Sequence, residues 1–155
     1  MSTFDVGFVI FPGVTQLDFT GPYEVLSRLG TPPSISVASK FSQSRVHVIS
    51  KTMLPVSSER GLGIMPTCTF ETCPPLDLIC VPGGVGVVDA LADTETIDFI
   101  REQGGQAQYL TSVCMGAFLL GRVDEGAPGC NALGLRRSIA IDRRPSREGA
   151  DRPRR

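Results

Sequence analysis

An α/β fold, with a parallel sheet covered by helices on both faces, is what this 155-residue sequence predicts. Three observations predict it. Short, nearly continuous apolar runs recur at residues 6–11, 77–81 and 109–113, as in strands buried on both faces of a parallel sheet. Each run ends in a glycine-rich or otherwise sharp turn, and each turn leads into apolar residues at helical spacing. In such a sheet the ligand crevice lies outside the carboxyl ends of the strands. Loops 12–20, 82–87 and 112–116 all leave from that edge, so they are expected to meet there.

The first strand ends at Pro12-Gly13. A helix is predicted to start at Thr20-Gly21-Pro22, with proline in its first turn, to carry Tyr23, Val25, Leu26 and Leu29, and to close at Gly30. Residues 30–44, rich in Ser, Pro and Thr, read as a loop, and 46–49 as a second strand holding His47, the lone histidine. An isolated histidine in a strand is expected to be partly buried or at an edge, without a catalytic task. Around Gly61-Leu62-Gly63, residues 54–70 suggest a small hairpin or edge ribbon. After the strand at 77–81, Pro82-Gly83-Gly84 frees the backbone to turn. One amphipathic helix is then predicted from Val88 to Gly104-Gly105. The last unit runs from Tyr109 through Cys114 into the apolar segment 115–120.

Composition sets bounds on function. Hydrophobic residues make up 41% and charged ones 20% of the chain, the mix of a soluble globular domain. Fifteen basic and sixteen acidic side chains leave a net charge of -1, which gives the whole molecule no pull toward nucleic acid or anionic lipid. No apolar run approaches the roughly 18 residues of a membrane span. A secretory signal is absent, so a cytoplasmic location is expected. Five cysteines without CxxC spacing, beside one histidine, argue against a zinc site or a disulfide scaffold. No metal or cofactor is called for.

The chemistry is expected at Cys114, where a strand gives way to a helix. There the positive end of the helix dipole favours the thiolate, and a thiolate needs no histidine relay. A small buried core residue is the competing reading. Cys68, Cys73, Cys80 and Cys130 do not share that position and read as structural. Asp18, between two apolar residues, either caps the following helix or faces Cys114 across the crevice, where its carboxyl group would donate a proton or position water. Gly83 and Gly84 either offer backbone N–H donors to developing negative charge or simply make a tight turn. The segment 82–86 is neither a dinucleotide fingerprint nor a Walker loop.

Three separated segments, Phe11-Pro12-Gly13 with Gln16-Leu17-Asp18-Phe19-Thr20-Gly21-Pro22, then 77–84, then Thr111-Ser112-Val113-Cys114-Met115-Gly116-Ala117, resemble the ThiJ/PfpI superfamily, and within it the isonitrile hydratases. The resemblance covers about residues 5–121. It implies a flavodoxin-like homodimer acting on a small molecule: a lyase that hydrates an isonitrile to an N-substituted formamide. On the matching positions it makes Cys114 the nucleophile and Asp18 the acid; Gly83, Gly84 and Met115, beside them, are expected to contact substrate or oxyanion. Met115 stands where isonitrile hydratases typically carry threonine and where protease and deglycase relatives carry histidine. A thioether cannot donate a hydrogen bond.

From Arg122 onward the chain changes character. Residues 1–121 hold six basic and eleven acidic side chains, 122–155 nine and five. This Arg-rich stretch lacks apolar periodicity and is expected to be a disordered tail. It resembles an out-of-frame continuation of a GC-rich reading frame in place of the C-terminal part of the family fold; a basic nucleic-acid arm is the competing view. Two further functions stay open. One is the non-catalytic ligand-sensing domain of an AraC-type regulator, which would append a helix-turn-helix domain of roughly 100 residues. The other is an inactive remnant.

Overall fold

The computed structural model describes residues 3–29 and 43–124. Cys130, Gly30, most of the loop at 30–44 and residues 125–155 lie outside the described residues, while residues 122–124 continue the last helix. Strand β1 (Thr3–Val9) is followed by helix α1 (Gln16–Leu26), β2 (Gln43–Ser50), the short strands β3 (Val56–Ser57), β4 (Gly63–Ile64) and β5 (Cys68–Thr69), and β6 (Leu78–Val81). Helices α2 (Val87–Ala92) and α3 (Thr94–Gln106), strand β7 (Tyr109–Ser112) and helix α4 (Gly116–Asp124) complete the order.

Five strands form one parallel sheet in the order β5-β2-β1-β6-β7. The expected α/β architecture is thus present. Apolar runs on β1 and β6 bury nearly everything: Val6, Phe8, Val9, Ile79 and Val81 are fully enclosed, and each such side chain stabilises the fold by about 1.5–3 kcal/mol relative to exposure. On one face α1 lays Phe19 and Tyr23 against Phe8, with ring centroids 5.6 and 5.8 Å away. Helices α2, α3 and α4 pack against one another, burying Val87, Ile97, Ile100 and Leu119. The expected hairpin is the antiparallel pair β3-β4, and the chain then returns to add β5 beside β2, through Ile49 opposite Cys68.

Three local expectations are corrected. Helix α1 begins at Gln16, not at Thr20, and Pro22 lies inside it. The apolar packing of Phe19 and Tyr23 on Phe8 outweighs the hydrogen bond that Pro22 cannot donate to the Asp18 carbonyl. The helix also ends at Leu26, short of Gly30. The single helix expected from Val88 to Gly104-Gly105 is two, broken at Asp93, whose extended backbone (φ -88°, ψ 97°) ends α2 and starts α3. There the Asp93 carboxylate accepts from the Thr96 hydroxyl at 2.6 Å and the Lys51 ammonium at 2.6 Å. Helix α3 then runs through both glycines to Gln106.

His47 is buried and pairs through Nε2 with Asp5 Oδ1 at 2.8 Å. That pair lies inside the sheet, consistent with the structural reading of this histidine. Among the described residues no helix is long and apolar enough to cross a membrane.

Candidate active site

Strand order places the site. Chain crossings run from β1 to β2 on one side and reach β6 on the other, so β1 and β6 flank the point where the direction of winding reverses. At such a point the two loops leaving the strands diverge and open a crevice. Here residues 10–15 and 82–86 are knitted together at its floor. Thr15 donates its amide to the Gly83 carbonyl at 2.9 Å, and Gly86 donates to the Gly13 carbonyl at 3.1 Å. A Cβ on Gly84 would run into the Gly13 carbonyl oxygen, and one on Gly86 into that of Pro12. Gly84 also has φ +130°, open to glycine but costly for other residues.

The third loop arrives from β7. Gly116, the first residue of α4, passes so close to β6 that a Cβ there would strike the Val81 carbonyl. That approach carries Cys114 and Met115 over the end of β6, beside Gly83. Cys114 holds φ +54°, the one positive value among the described non-glycine residues. A left-handed conformation costs a side-chain-bearing residue about 1–2 kcal/mol. The strained turn presents the Cys114 thiol to solvent, where the residue is exposed, just ahead of the α4 amino terminus. The reading of Cys114 as a core residue is therefore set aside.

Asp18 reaches the same place from α1, where it lies in the first helical turn. Its Oδ2 is buried and has no hydrogen-bond partner among the described residues. Leaving a carboxyl oxygen dry and unpaired costs stability. The position a Gly83 Cβ would occupy lies 2.9 Å from this oxygen, 2.7 Å from the Met115 amide nitrogen and 3.0 Å from the Cys114 Cβ. One missing methyl group thus brings three of the expected site residues around a single point. Asp18 is also felt at β6: burial pushes the Cys80 thiol up, and the Asp18 charge adds to this against a hydrogen bond with Thr111.

Backbone amides of Gly83, Gly84 and Met115 donate no hydrogen bond among the described residues. They are free to serve as donors to an anion forming above Cys114. Met115 itself is 38% exposed, and its amide nitrogen lies beside Gly83. Cys68 and Cys80 are buried and Cys73 half-buried, and burial raises all three thiols. No group of three or more His, Cys, Asp or Glu among the described residues could hold a metal.

The sequence did not disclose the brace under Asp18. The turn between β3 and β4 clamps the start of α1: Glu59 donates its amide to the Val14 carbonyl at 3.0 Å, Thr15 Oγ1 donates to Glu59 Oε2 at 3.1 Å, and Ser58 Oγ to Gln16 Oε1 at 3.3 Å. These partners lie more than 40 positions apart, and no local pattern signals them.

A profile described as the DJ-1/PfpI family matches residues 5–127. Isonitrile hydratase of Pseudomonas putida is 50% identical over 116 residues, which is 75% of this chain and 46% of that protein. The HTH-type transcriptional regulator GbdR of Pseudomonas aeruginosa is 32% identical over 120 residues, 76% of this chain and 30% of the regulator. The chain spans less than half the length of either relative. Among solved structures, a ThiJ/PfpI family protein from Pseudomonas syringae superposes with a TM-score of 0.69 at 34% identity, covering 79% of this chain and 47% of that one. Drosophila melanogaster DJ-1beta, at 20% identity and a TM-score of 0.63 over 79% of this chain and 61% of its own, shares the fold.

Proposed function

The chain belongs to the DJ-1/PfpI family, and on that premise we propose that it is a cysteine-dependent lyase of the isonitrile hydratase type, acting on a small molecule with Cys114 as nucleophile and Asp18 as proton donor. The similarity to isonitrile hydratase supports the reaction class. The observation that carries the reading is the meeting of Asp18 Oδ2, the Met115 amide and Cys114 at Gly83.

The chemistry balances with these groups alone. Cys114 thiolate adds to the terminal carbon of R–NC, forming a C–S bond, while the Asp18 carboxyl group delivers its proton to the same carbon. Asp18 then exists as a carboxylate. Water next adds across the C=N bond of the resulting thioimidate: its oxygen joins the carbon, and one of its protons passes through the Asp18 carboxylate to the nitrogen. Collapse of this adduct breaks the C–S bond, returns the thiolate, passes the hydroxyl proton to the Asp18 carboxylate and releases R–NH–CHO, so that both groups regain their starting state. Amides of Gly83, Gly84 and Met115 steady the negative charge at the reacting atoms.

Incubation of the protein with cyclohexyl isocyanide is expected to yield N-cyclohexylformamide, and Cys114→Ser is expected to abolish it. An unchanged rate in that variant overturns the assignment. The same reading includes a cytoplasmic homodimer.

The similarity to GbdR favours a second reading, a ligand-sensing domain without turnover. It predicts isonitrile-dependent thermal stabilisation with no formamide. Neither product nor stabilisation, together with a cooperative unfolding transition lost, would mark an inactive remnant.

A further inference from the structure

We propose that Glu59 is a positioning residue for Asp18: it draws the Thr15 hydroxyl away from the end of α1, so that the acid of the crevice does not cap its own helix. The proposal deepens the lyase reading and rests on its assignment of Asp18 as proton donor. Thr15-Gln16-Leu17-Asp18 has the form of a capping box. In such a box the first side chain accepts from the amide of the fourth residue, while the fourth, an acid, reaches back to the amide of the first. Thr15 stands at the N-cap of α1 and Asp18 in the first turn. Neither half of the box forms. The Thr15 amide donates to the Gly83 carbonyl at 2.9 Å, and the Thr15 hydroxyl donates to Glu59 Oε2 at 3.1 Å. The helix therefore has no side-chain cap, and the Asp18 amide turns to the Thr15 carbonyl at 3.1 Å. Asp18 Oδ2 is left buried without a partner among the described residues, facing the space that Gly83 leaves open. An uncapped helix end and an unpaired carboxyl oxygen each cost stability, and both follow from the same two outside contacts.

Glu59 is held in place by backbone. Gly13 donates its amide to the Ser57 carbonyl at 2.9 Å, Val14 and Ser58 form a parallel bridge, and Glu59 donates its amide to the Val14 carbonyl at 3.0 Å. Buried Ser58 locks the turn behind it, donating its amide to the Leu62 carbonyl at 2.8 Å and accepting from the Leu62 amide through Oγ at 3.0 Å. The Glu59 carboxylate is thus carried to the N-cap hydroxyl by a short ladder between the hairpin and the loop after β1. Once that carboxylate is removed, the capping-box partner is the local alternative for the Thr15 hydroxyl: its oxygen accepts from the Asp18 amide and its proton turns to the Asp18 carboxylate. A carboxylate that accepts this bond is stabilised as the ion and becomes a poorer proton donor above Cys114.

The test compares full-length chains carrying Glu59→Ala, Glu59→Gln, Thr15→Val, and Glu59→Ala together with Thr15→Val, with cyclohexyl isocyanide as substrate. Glu59→Ala is expected to lower kcat about two- to tenfold, the redistribution that one net hydrogen bond produces, with KM unchanged. Glu59→Gln keeps an acceptor oxygen and is expected to restore kcat. Adding Thr15→Val to Glu59→Ala is expected to restore it to the value of Thr15→Val alone, because the capturing hydroxyl is gone. A simple clamp would be lost equally in Glu59→Ala, Thr15→Val and the pair. The carboxyl ¹³C resonance of Asp18, assigned by its loss in Asp18→Asn, reads the same capture without turnover. It is expected to move in Glu59→Ala, to hold in Glu59→Gln, and in the double variant to match Thr15→Val. A parent chain that makes no formamide would overturn the lyase reading, and the resonance would then decide the role of Glu59 by itself. An unmoved resonance in Glu59→Ala, or equal losses in the three variants that break the contact, would overturn the proposal.

Discussion

Asp18 and Cys114 meet over Gly83: the carboxyl oxygen of one and the Cβ of the other lie 2.9 and 3.0 Å from the point where a Gly83 side chain would begin. They lie 96 positions apart in sequence, one on α1 and the other in the turn between β7 and α4. The absence of that one carbon lets an acid from α1 and a thiol from the β7–α4 turn share one crevice.

Gly83→Ala therefore tests the site more directly than any charge change. The added methyl group would press on Asp18 Oδ2, the Met115 amide and Cys114 together. Overpacking of this kind costs about 1–3 kcal/mol, and formamide production is expected to fall further than the shift in Tm accounts for. Wild-type turnover in this variant would mean that the three groups do not act together.

Asp18→Asn keeps the shape and removes the proton donor. Loss of general acid assistance is worth about 10²–10⁴-fold in rate. Because Asp18 Oδ2 already lacks a partner among the described residues, stability is expected to hold or rise. Rate measurements beside thermal melts separate the two effects.

Cys114→Gly should divide function from stability. The left-handed φ of +54° is unstrained in glycine, and the net gain is about 0.5–1 kcal/mol after the entropy of the freer unfolded chain. Activity is expected to vanish while Tm rises. A lower Tm would show that the cysteine side chain contributes packing the exposed position does not suggest.

Limiting iodoacetamide near neutral pH should label Cys114 ahead of Cys68, Cys73 and Cys80. Burial pushes all three of the latter up, Cys73 to about 12, so their thiolate fractions are small. Mass spectrometry of the early product reads the order. Equal labelling of the four would contradict it.

The junction between α2 and α3 gives a pH signature. Burial works against the Asp93 carboxylate, but hydrogen bonds from Lys51 and Thr96 and the Lys51 charge outweigh it and hold its pKa below 3.8. Its contribution is thus fully present above pH 3.8 and fades as the pH falls through the lower native value. The partly exposed pair is worth about 0–1 kcal/mol. Asp93→Asn is expected to be less stable than the parent at pH 7 by no more than that, with the gap closing in strong acid.

Much of the fold was legible because it is locally encoded. Residues 6–10 are apolar without alternation, and only a strand covered on both faces tolerates this. Gly84 and Cys114 stand at strand ends where a turn had to fall, and the thiol at such a turn marked itself by position. The start of α1 is not legible locally because Pro22 carries a strong boundary signal, whereas contact of Phe19 and Tyr23 with Phe8 decides the helix. The break at Asp93 is not legible locally because its partner Lys51 lies 42 positions away.

The sequence by itself determined the strand-turn-helix units, the parallel sheet and the residues able to do chemistry, since backbone preference and burial pattern are written within a few neighbouring positions. Tertiary structure alone decided that Asp18, Met115 and Cys114 crowd one glycine and that Ser58 and Glu59 brace the helix carrying the acid. Parallel strands pair segments far apart in the chain, so which atoms touch at their ends depends on sheet order and on close backbone approaches, neither of which any short stretch of residues records.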